Sequence, residues 1–252
     1  QNPRFPAGLP IAMKGRDLDF RWPYTYQFNF SLQRQVVSDL SVTAAYVSSL
    51  SHKLPADLDI NYPIFGPGAT TSNFDQRRPY AGFSDIGTLK SVANGAYHGL
   101  ELSADKRMSR NFSFKGYYAF GKGLEDYEMQ SGTRDYPQNS SKFKLDRGRT
   151  SNDVTHRFVM SGIWQIDYLR GGHPVLRTTV NGWTLSTIVS ILSGSPLTVT
   201  AGDDINRDGQ SNDRADLIGD PRLDSGRPRS QTLAKWFNTA AFVRPAFGSD
   251  GN

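Results

Sequence analysis

The sequence predicts an all-β fold, an antiparallel meander of long amphipathic hairpins, from two observations. The first is strict alternation between residues 22 and 36, where apolar side chains occupy one face of a strand and amides and hydroxyls the other. The second is that this period of two recurs along the chain, whereas helical periodicity is nearly absent. The apolar set of the first segment comprises Tyr24, Tyr26, Phe28, Phe30 and Leu32.

Six strands follow from this pattern, and they group into three hairpins. A polar turn near Asp39 separates the first pair, residues 109–111 separate the second, and a loop of residues 167–178 separates the third. The predicted strands comprise about residues 22–36, 40–50, 97–107, 112–122, 154–166 and 179–193.

The connections between the hairpins are much longer than those within them. They are rich in Gly, Pro, Asn and Asp, and they exceed the usual connection length in compact soluble domains. Outer-membrane β-barrels show this asymmetry, with short periplasmic turns and long loops outside. The sequence therefore predicts part of such a barrel, with residues 83–92 in an external loop despite their β character. The predicted external loops are residues 1–21, 51–96, 123–153 and 194–252.

Composition excludes several other classes. The 252 residues contain no apolar run near the roughly 18 that a membrane helix needs, and the absence of cysteine removes disulfides, thiol nucleophiles and Cys-zinc sites. The net charge of +5 is spread along the chain, so we expect no nucleic-acid partner. A soluble β-sandwich is the alternative fold, but its strands usually have about 5 to 6 residues, fewer than these segments contain.

Seven segments, in order and spacing, resemble the outer barrel of Oar-like TonB-dependent receptors of the type abundant in Acidobacteria. Each segment is a loose pattern of aromatic, glycine and turn residues, and together they extend over nearly the whole chain. They are YTYQFNFSLQRQV, LSVTAAYVSSLSHKL, RRPYAGF, YHGLELSADKRMSRNFSFKGYYAFGKGLED, THRFVMSGIW, NGWTLSTIVSILSGSPLTVTAGDDINRDGQSNDRADLIGD and KWFNTAAFVRPAFG. The resemblance implies an outer-membrane barrel of roughly 22 strands closed around a plug domain.

The resemblance also implies a particular role in the Gram-negative outer membrane. We expect a barrel-wall segment of a TonB-dependent receptor or transporter, with external loops that contribute to ligand capture. Neither a plug nor a TonB-contacting segment is recognisable, and six strands cannot close a transporter-sized barrel. We therefore expect a fragment lacking the plug, or an assembled subunit, whose partners are outer-membrane lipid and missing barrel strands that pair with its two edges.

An alternative of a different class uses the same hairpins structurally. In this hypothesis the chain is a subunit of a cell-surface or extracellular fibre, which self-associates through its open β edges and is stabilised by calcium at a junction. Detergent dependence separates the two hypotheses, because barrel wall needs detergent whereas a fibre subunit assembles in water.

The sharpest chemical motif lies in the last predicted loop. Residues 204–210 follow the pattern D-x-N-x-D-G-x, which supplies oxygen ligands at alternate positions and a glycine for the tight turn, as calcium loops do. The twelfth position holds Ala215 instead of a bidentate Glu, with Asp213 and Asp216 nearby, so the loop resembles those of dockerins or thrombospondin repeats more than an EF-hand. The alternative is a turn held by Asx hydrogen bonds, or by Arg207 and Arg214, without metal. The predicted calcium ligands are Asp204, Asn206, Asp208, Gln210 and Asp213.

No enzymatic activity is predicted, and calcium is the one cofactor expected. The four histidines lie far apart without a short metal-ligand spacing, and residues 194–196 (Gly-Ser-Pro) lack the G-x-S-x-G pattern of a nucleophile elbow.

Overall fold

The computed structural model describes residues 10–127 and 136–252, and most of its strands form one large sheet. The strands of this sheet are β1 (Ile11–Arg16), β2 (Tyr24–Val37), β3 (Leu40–Asp59), β4 (Phe83–Ser109), β5 (Phe112–Glu125), β6 (Gly148–Arg149), β7 (His156–Ile166) and β8 (Trp183–Leu192). The six long strands pair antiparallel in the order β2-β3-β4-β5-β7-β8. The all-β meander is therefore confirmed.

Smaller elements lie beyond both ends of the strands, with one helix in the β7–β8 connection at the short-turn end and the others at the long-loop end. A two-stranded sheet pairs β9 (Asp216–Leu217) with β10 (Phe242–Val243). The short α-helices are α1 (Phe74–Arg77), α2 (Pro174–Val180) and α3 (Arg229–Ala234). None of the helices in the described part of the chain is long and apolar enough to cross a membrane.

The three predicted hairpins are present, and two of them close with very short turns. Ser38 and Asp39 connect β2 to β3, and Arg110 and Asn111 connect β4 to β5. Arg110 and Asn111 both have positive φ, at +48° and +65°, which is the conformation a two-residue type I′ hairpin turn requires at both central positions.

The pairing of the strands places apolar side chains opposite one another, so that one face of the sheet is apolar from β2 to β8. Phe30 lies opposite Tyr46, which lies opposite Leu100, which in turn lies opposite Phe120. The next row towards the short turns comprises Leu32, Ala44, Leu102, Tyr118, Phe158 and Ile191. These side chains are not covered by protein: Phe30 is 62% exposed and Ile191 61%. A continuous, uncovered apolar face of this size is typical of a surface that contacts another apolar phase.

The opposite face is mainly polar. One row comprises Ser41, Asp105, Lys115, Ser161 and Ile188. The Lys115 ammonium lies 3.2 Å from the Asp105 carboxylate within this row. Ile188 is an exception to the alternation, since it lies on the polar face and is 80% exposed at the edge of the sheet.

The prediction that residues 51–96 form a loop was wrong for much of its length. β3 continues to Asp59 and β4 begins at Phe83, so residues 83–92, predicted in a loop, are strand. Pairing resumes beyond an irregularity near Lys53, whose φ is +55°, and runs from Leu54 opposite Ala93 to Asp59 opposite Gly87. The period-two pattern is lost in residues 51–59 because both faces of this extension pack against protein.

The lengths of the strands follow from this extension. At about 3.3 Å per residue, the 20 residues of β3 span about 66 Å and the 27 of β4 about 89 Å, against about 36 Å for the 11 residues of β7. Even when tilted by about 45°, β3 and β4 exceed the apolar band of a barrel, which is about 25 Å tall.

The N-terminal segment is also more ordered than a loop. Residues 11–16, predicted in a loop, form β1, which pairs parallel with β4 from Ile11 opposite Phe83 to Arg16 opposite Leu89. In this part of β4 one edge pairs with β3, and β1 pairs with the other edge. Towards the short turns, from Gly95 onwards, that other edge of β4 pairs with β5 instead. A parallel partner within an antiparallel meander leaves no local sequence signal.

The last predicted strand begins later than expected. The alternation predicts this strand from residue 179, whereas β8 begins at Trp183 and α2 occupies the preceding segment. Pro174 stands at the first turn of α2, where its missing N–H costs nothing and its fixed φ suits a helix start. The fifth predicted strand likewise begins at His156 instead of residue 154.

We use the term loop layer for the structure beyond the long-loop ends of the strands: residues 10–22, 53–95, 126–127, 136–155 and 193–252. The buried apolar cluster of the molecule lies here, where Leu54 and Phe143 pack against a buried set of four residues. These four are Ala56, Leu58, Ala93 and Tyr127. The loop layer, unlike the sheet, therefore has an interior of its own.

Candidate functional site

The five predicted calcium ligands lie in one compact loop of the loop layer. Asp204, Asn206, Asp208 and Asp213 are buried, each at most 5% exposed, and Gln210 is half-buried. Gly209 has a φ of +90°, in the left-handed region that favours glycine, so the Asp-Gly pair supplies the tight turn expected from the sequence.

Side-chain oxygens on alternate residues accept hydrogen bonds from the backbone of the same turn. The two oxygens of Asp204 accept from the amides of Asp208 (3.1 Å) and Gly209 (2.9 Å). The Asn206 Oδ1 also accepts from the Asp208 amide, at 3.0 Å. The Asp208 Oδ1 accepts from the Gln210 amide at 3.0 Å. The oxygens of residues 204 and 206 therefore converge on one amide, because the backbone turns around them.

Asp213 closes this turn from the other side. Its Oδ2 accepts from the amides of Ile205 and Asn206, the latter at 3.0 Å. Backbone bonds from Ala201 to the Asp213 carbonyl (2.7 Å) and from Ala215 to the Val199 carbonyl (3.0 Å) bring the two ends of the loop together. The loop is thus a closed unit that its own side chains shape.

The electrostatics of the loop are unbalanced. Among the described residues, no basic side chain forms an ion pair with Asp204, Asp208 or Asp213. Arg207 and Arg244 pair with the neighbouring Asp203, although the charges of Arg207 and Arg77 also act on Asp204. Burial raises the pKa of Asp208 to about 8, the Gln210 amide opposes this shift, and the charges of Asp204 and Asp213 add to it. Burial also raises the pKa of Asp204 and that of Asp213.

The loop bonds to two other segments of the loop layer, one at Gln138 and one at residues 248–251. The Asn206 side-chain amide donates to the Gln138 carbonyl at 2.7 Å and to the Asp250 carboxylate at 3.1 Å. The Gln138 side chain, itself 2% exposed, donates to the Gly251 carbonyl at 3.1 Å. The amide of Gly248 donates to the Ile205 carbonyl at 2.9 Å. Sequence reasoning missed Gln138 and Asp250 because isolated polar residues in distant loops have no spacing pattern.

A second polar cluster fixes the connection between β3 and β4. Asn61 is fully buried, and its side-chain nitrogen donates to the carbonyls of Tyr80 (3.1 Å), Phe83 (3.1 Å) and Ser84 (2.7 Å). Its Oδ1 accepts from the Tyr80 amide at 2.7 Å, and the Asp59 carboxylate accepts from the Asn61 amide at 2.8 Å. The sequence contained no signal for this role.

Two arginines connect this cluster to the calcium-type loop. Arg77 donates to the Arg207 carbonyl at 3.0 Å, and Arg78 donates to the Asn61 carbonyl at 2.7 Å. Both belong to the RRPYAGF segment, whose individual residues had no predicted role. The loop of residues 204–213 is therefore held from the β3–β4 connection as well as from Gln138 and Asp250.

A cavity of about 440 Å³ opens between the end of β5 and the C-terminal segment. Apolar and aromatic side chains contribute much of its lining, among them Tyr127, Tyr136, Leu197, Val199 and Phe242. Two arginines at its wall are engaged by acidic residues, since Arg149 lies 2.6 Å from Asp153 and Arg214 lies 3.0 Å from Asp146.

The described residues contain no group of three or more His, Cys, Asp or Glu side chains that could hold a metal ion. The calcium site therefore stays a prediction.

Three of the four histidines have polar side-chain partners near the long-loop ends of the strands: Nδ1 of His98 lies 2.7 Å from the Tyr46 hydroxyl, that of His156 lies 2.8 Å from the Tyr118 hydroxyl, and that of His52 lies 3.0 Å from Asn94 Oδ1.

An antiparallel sheet with one continuous apolar face, one polar face and a tall loop layer at one end defines the wall of a membrane β-barrel. A family model described as an outer membrane beta barrel domain matches residues 1–252. The chain belongs to this family, and its location is the outer membrane. No curated protein and no solved structure matches the chain. The apolar face is therefore the one that contacts lipid, and the polar face is the one that faces the lumen.

Proposed function

We propose that this chain is wall of a TonB-dependent outer-membrane receptor or transporter, and that the loop layer lies outside the cell and contributes to ligand capture. The observation that carries the proposal is the contrast in strand height, because β3 and β4 rise well beyond the apolar band and support a built layer with its own interior. The seven-segment resemblance supports the TonB-dependent class.

The two edges of the sheet support a larger barrel. Among the described residues, β2 pairs only with β3, and β8 pairs only with β7. An edge strand within lipid would leave backbone groups without hydrogen bonds, so further strands must pair with both. The cavity of about 440 Å³, with aromatic side chains such as Tyr136 and Phe242 in its lining, supplies surface for a ligand.

Cysteine labelling tests the proposed sidedness, since the chain has no native cysteine. In Gram-negative cells that produce the protein, Ser72→Cys and Asp224→Cys in the loop layer should react with a membrane-impermeant maleimide on intact cells. Ser38→Cys, in the β2–β3 turn, should react only after the outer membrane is permeabilised. Labelling of Ser38→Cys alone on intact cells would reverse the proposed orientation.

The same reagent tests TonB dependence. Asn29→Cys lies on the lumen face, where a plug would limit access until the receptor is energised. We expect fluorescein maleimide to label it several-fold more slowly when an uncoupler collapses the proton gradient, with Asp224→Cys unaffected. Equal labelling of Asn29→Cys with and without the uncoupler, and with and without TonB, would remove TonB dependence from the proposal and leave the barrel wall.

The two open edges also favour a second candidate, a surface fibre subunit that self-associates through β2 and β8. Extraction distinguishes the two functions. Barrel wall should precipitate when detergent is removed, because its apolar face is uncovered. Ordered assembly in detergent-free buffer would favour the fibre.

A further inference from the structure

The loop of residues 204–213 has two buried oxygens with nothing to bind. Among the described residues, Asp208 Oδ2 and Asp213 Oδ1 have no hydrogen-bond partner, although Asp208 is 4% exposed and Asp213 fully buried. A buried polar atom without a partner is costly, and an uncompensated carboxylate charge is more so. Both atoms belong to the D-x-N-x-D-G turn and the segment that closes it.

The charges in this loop repel one another. Asp204, Asp208 and Asp213 lie in one closed turn, since their carboxylates accept from the amides of Asp208, Gln210 and Asn206 respectively, and like charges this close repel one another. None of the three has a basic ion-pair partner within residues 10–127 and 136–252. The charges of Arg77 and Arg207 act on Asp204, but Asp208 Oδ2 and Asp213 Oδ1 have no donor among the described residues. An alternating set of oxygen donors with unpartnered carboxylate oxygens is suited to a hard cation.

We propose that residues 204–210 bind one calcium ion through the side chains of Asp204, Asn206 and Asp208 and the carbonyl of Gln210. Calcium sites combine carboxylates with amide and backbone oxygens and water. Asp213 positions the turn through Oδ2, which accepts from the amides of Ile205 and Asn206, and its Oδ1, which has no partner among the described residues, completes the ligand set.

The position of the loop gives the ion its role. Asn206 bonds to both Gln138 and Asp250, and the Arg207 carbonyl accepts from Arg77. An ion that neutralises the carboxylates and stabilises this loop therefore also stabilises its bonds to three segments that are distant in sequence. Calcium is thus inferred to lock the loop layer, whether or not the barrel depends on TonB.

Two measurements on the full chain in detergent micelles test this inference. After treatment with EDTA and dialysis, calorimetric titration with CaCl2 should give one site, and MgCl2 should compete weakly because Mg²⁺ demands a stricter octahedral geometry. At a free calcium concentration about ten times the dissociation constant, mass action should slow tryptic cleavage at Arg207 and Arg214 about tenfold. Absence of both effects in the wild-type chain would overturn the proposal.

The variant Asp208→Asn distinguishes a cation from a proton. It keeps an oxygen for the Gln210 amide but removes a buried like charge, so in EDTA its loop should resist trypsin at least as well as the wild type, while the calcium response is lost. Asp224→Asn is the matched control, because Asp224 is exposed yet accepts the same kind of Asx bond from the Gly226 amide, and it should keep the full response. An undiminished calcium response in Asp208→Asn would contradict the site, and the wild-type titration decides even if this variant fails to fold.

Discussion

The sheet and the loop layer of this molecule are ordered by different means. In the sheet, side chains alternate between lipid and lumen, and the backbone ladder sets their positions. In the loop layer the order comes from buried polar groups: of the twelve buried polar residues in the described part of the chain, all but Ser48 lie there. Alternation of apolar and polar side chains is enough to order a sheet whose two faces contact lipid and water. The loop layer does not lie between two such media, so its order depends on specific side-chain hydrogen bonds.

This difference predicts that the two regions fail separately. A polar substitution should be severe on the lipid face of the sheet and mild on its lumen face, whereas removing a single buried amide should open the loop layer and leave the strands intact. The following predictions test that separation in order of decreasing effect.

Asn61→Ala should have the largest effect, about 4 kcal/mol on the opening of the loop layer. The change removes the donor to three carbonyls and the acceptor of one amide, all part-buried, and each such group left unsatisfied costs about 1 kcal/mol, the lower end of the range for buried groups. Pulse proteolysis at increasing urea should show residues 60–82 cleaved at lower urea than in the wild type. Asn152→Ala, at an exposed position, should change nothing. Simultaneous cleavage of β2 would show that the two regions unfold together.

Phe30→Arg should cost about 2–4 kcal/mol, because an arginine near the bilayer midplane on the lipid face loses its hydration. Phe30 lies at the middle of β2, with its side chain 62% exposed on the apolar face. The control is Asn29→Arg on the lumen face, where we expect a change within about 0.5 kcal/mol. Urea unfolding in phospholipid vesicles, followed by tryptophan fluorescence, measures both. Equal effects would mean that the two faces of β2 meet the same environment.

The sequence could predict the parts of the fold that repeat. The six strands and the faces of β2, β4 and β5 followed from local alternation, which persists wherever lipid and lumen lie on opposite sides. It could not predict the extension of β3, because burial on both faces removes the period of two, and Pro55 interrupts the pattern. The parallel pairing of β1 with β4 depends on contacts about 70 residues apart, which no local pattern records.

The candidate site divides in the same way. The spacing of Asp204, Asn206 and Asp208 is local, so the compact turn and its glycine could be predicted from the sequence. The burial of the turn, and its attachment to Gln138 and Asp250, depend on segments more than 40 residues away. A motif therefore indicates which side-chain oxygens lie close together in a loop. The surrounding fold determines whether those oxygens are buried and whether their charges are compensated.

A smaller effect, about 1–2 kcal/mol, is expected for Gly121→Ala in β5. The Tyr97 ring lies over this glycine on the lumen face, and an added Cβ would meet its hydroxyl at 2.5 Å and its ring carbons at about 3 Å, so the ring must move. Gly116→Ala in the same strand is the control, because no atom lies within 4 Å of its added Cβ. Urea midpoints of the two variants in vesicles give the comparison, and equal midpoints would show that Tyr97 does not pack against the sheet.

The smallest effect concerns pH at the short-turn end of the sheet. Hydrogen bonds from Lys106 (2.7 Å) and Ser109 lower the pKa of Asp39 to about 2, below its ordinary value of 3.8. Because folding favours the ionised form, this contribution to stability is complete above about pH 4 and is lost as the pH falls towards 2. Burial in the loop layer acts in the opposite direction and raises the pKa of Asp59, so that acidification relieves a cost there. The stability difference between wild type and Asp39→Asn, measured by urea unfolding, should therefore be constant from pH 6 to 4 and vanish towards pH 2. A difference that already disappears near pH 5 would show that Asp39 is not held by Lys106.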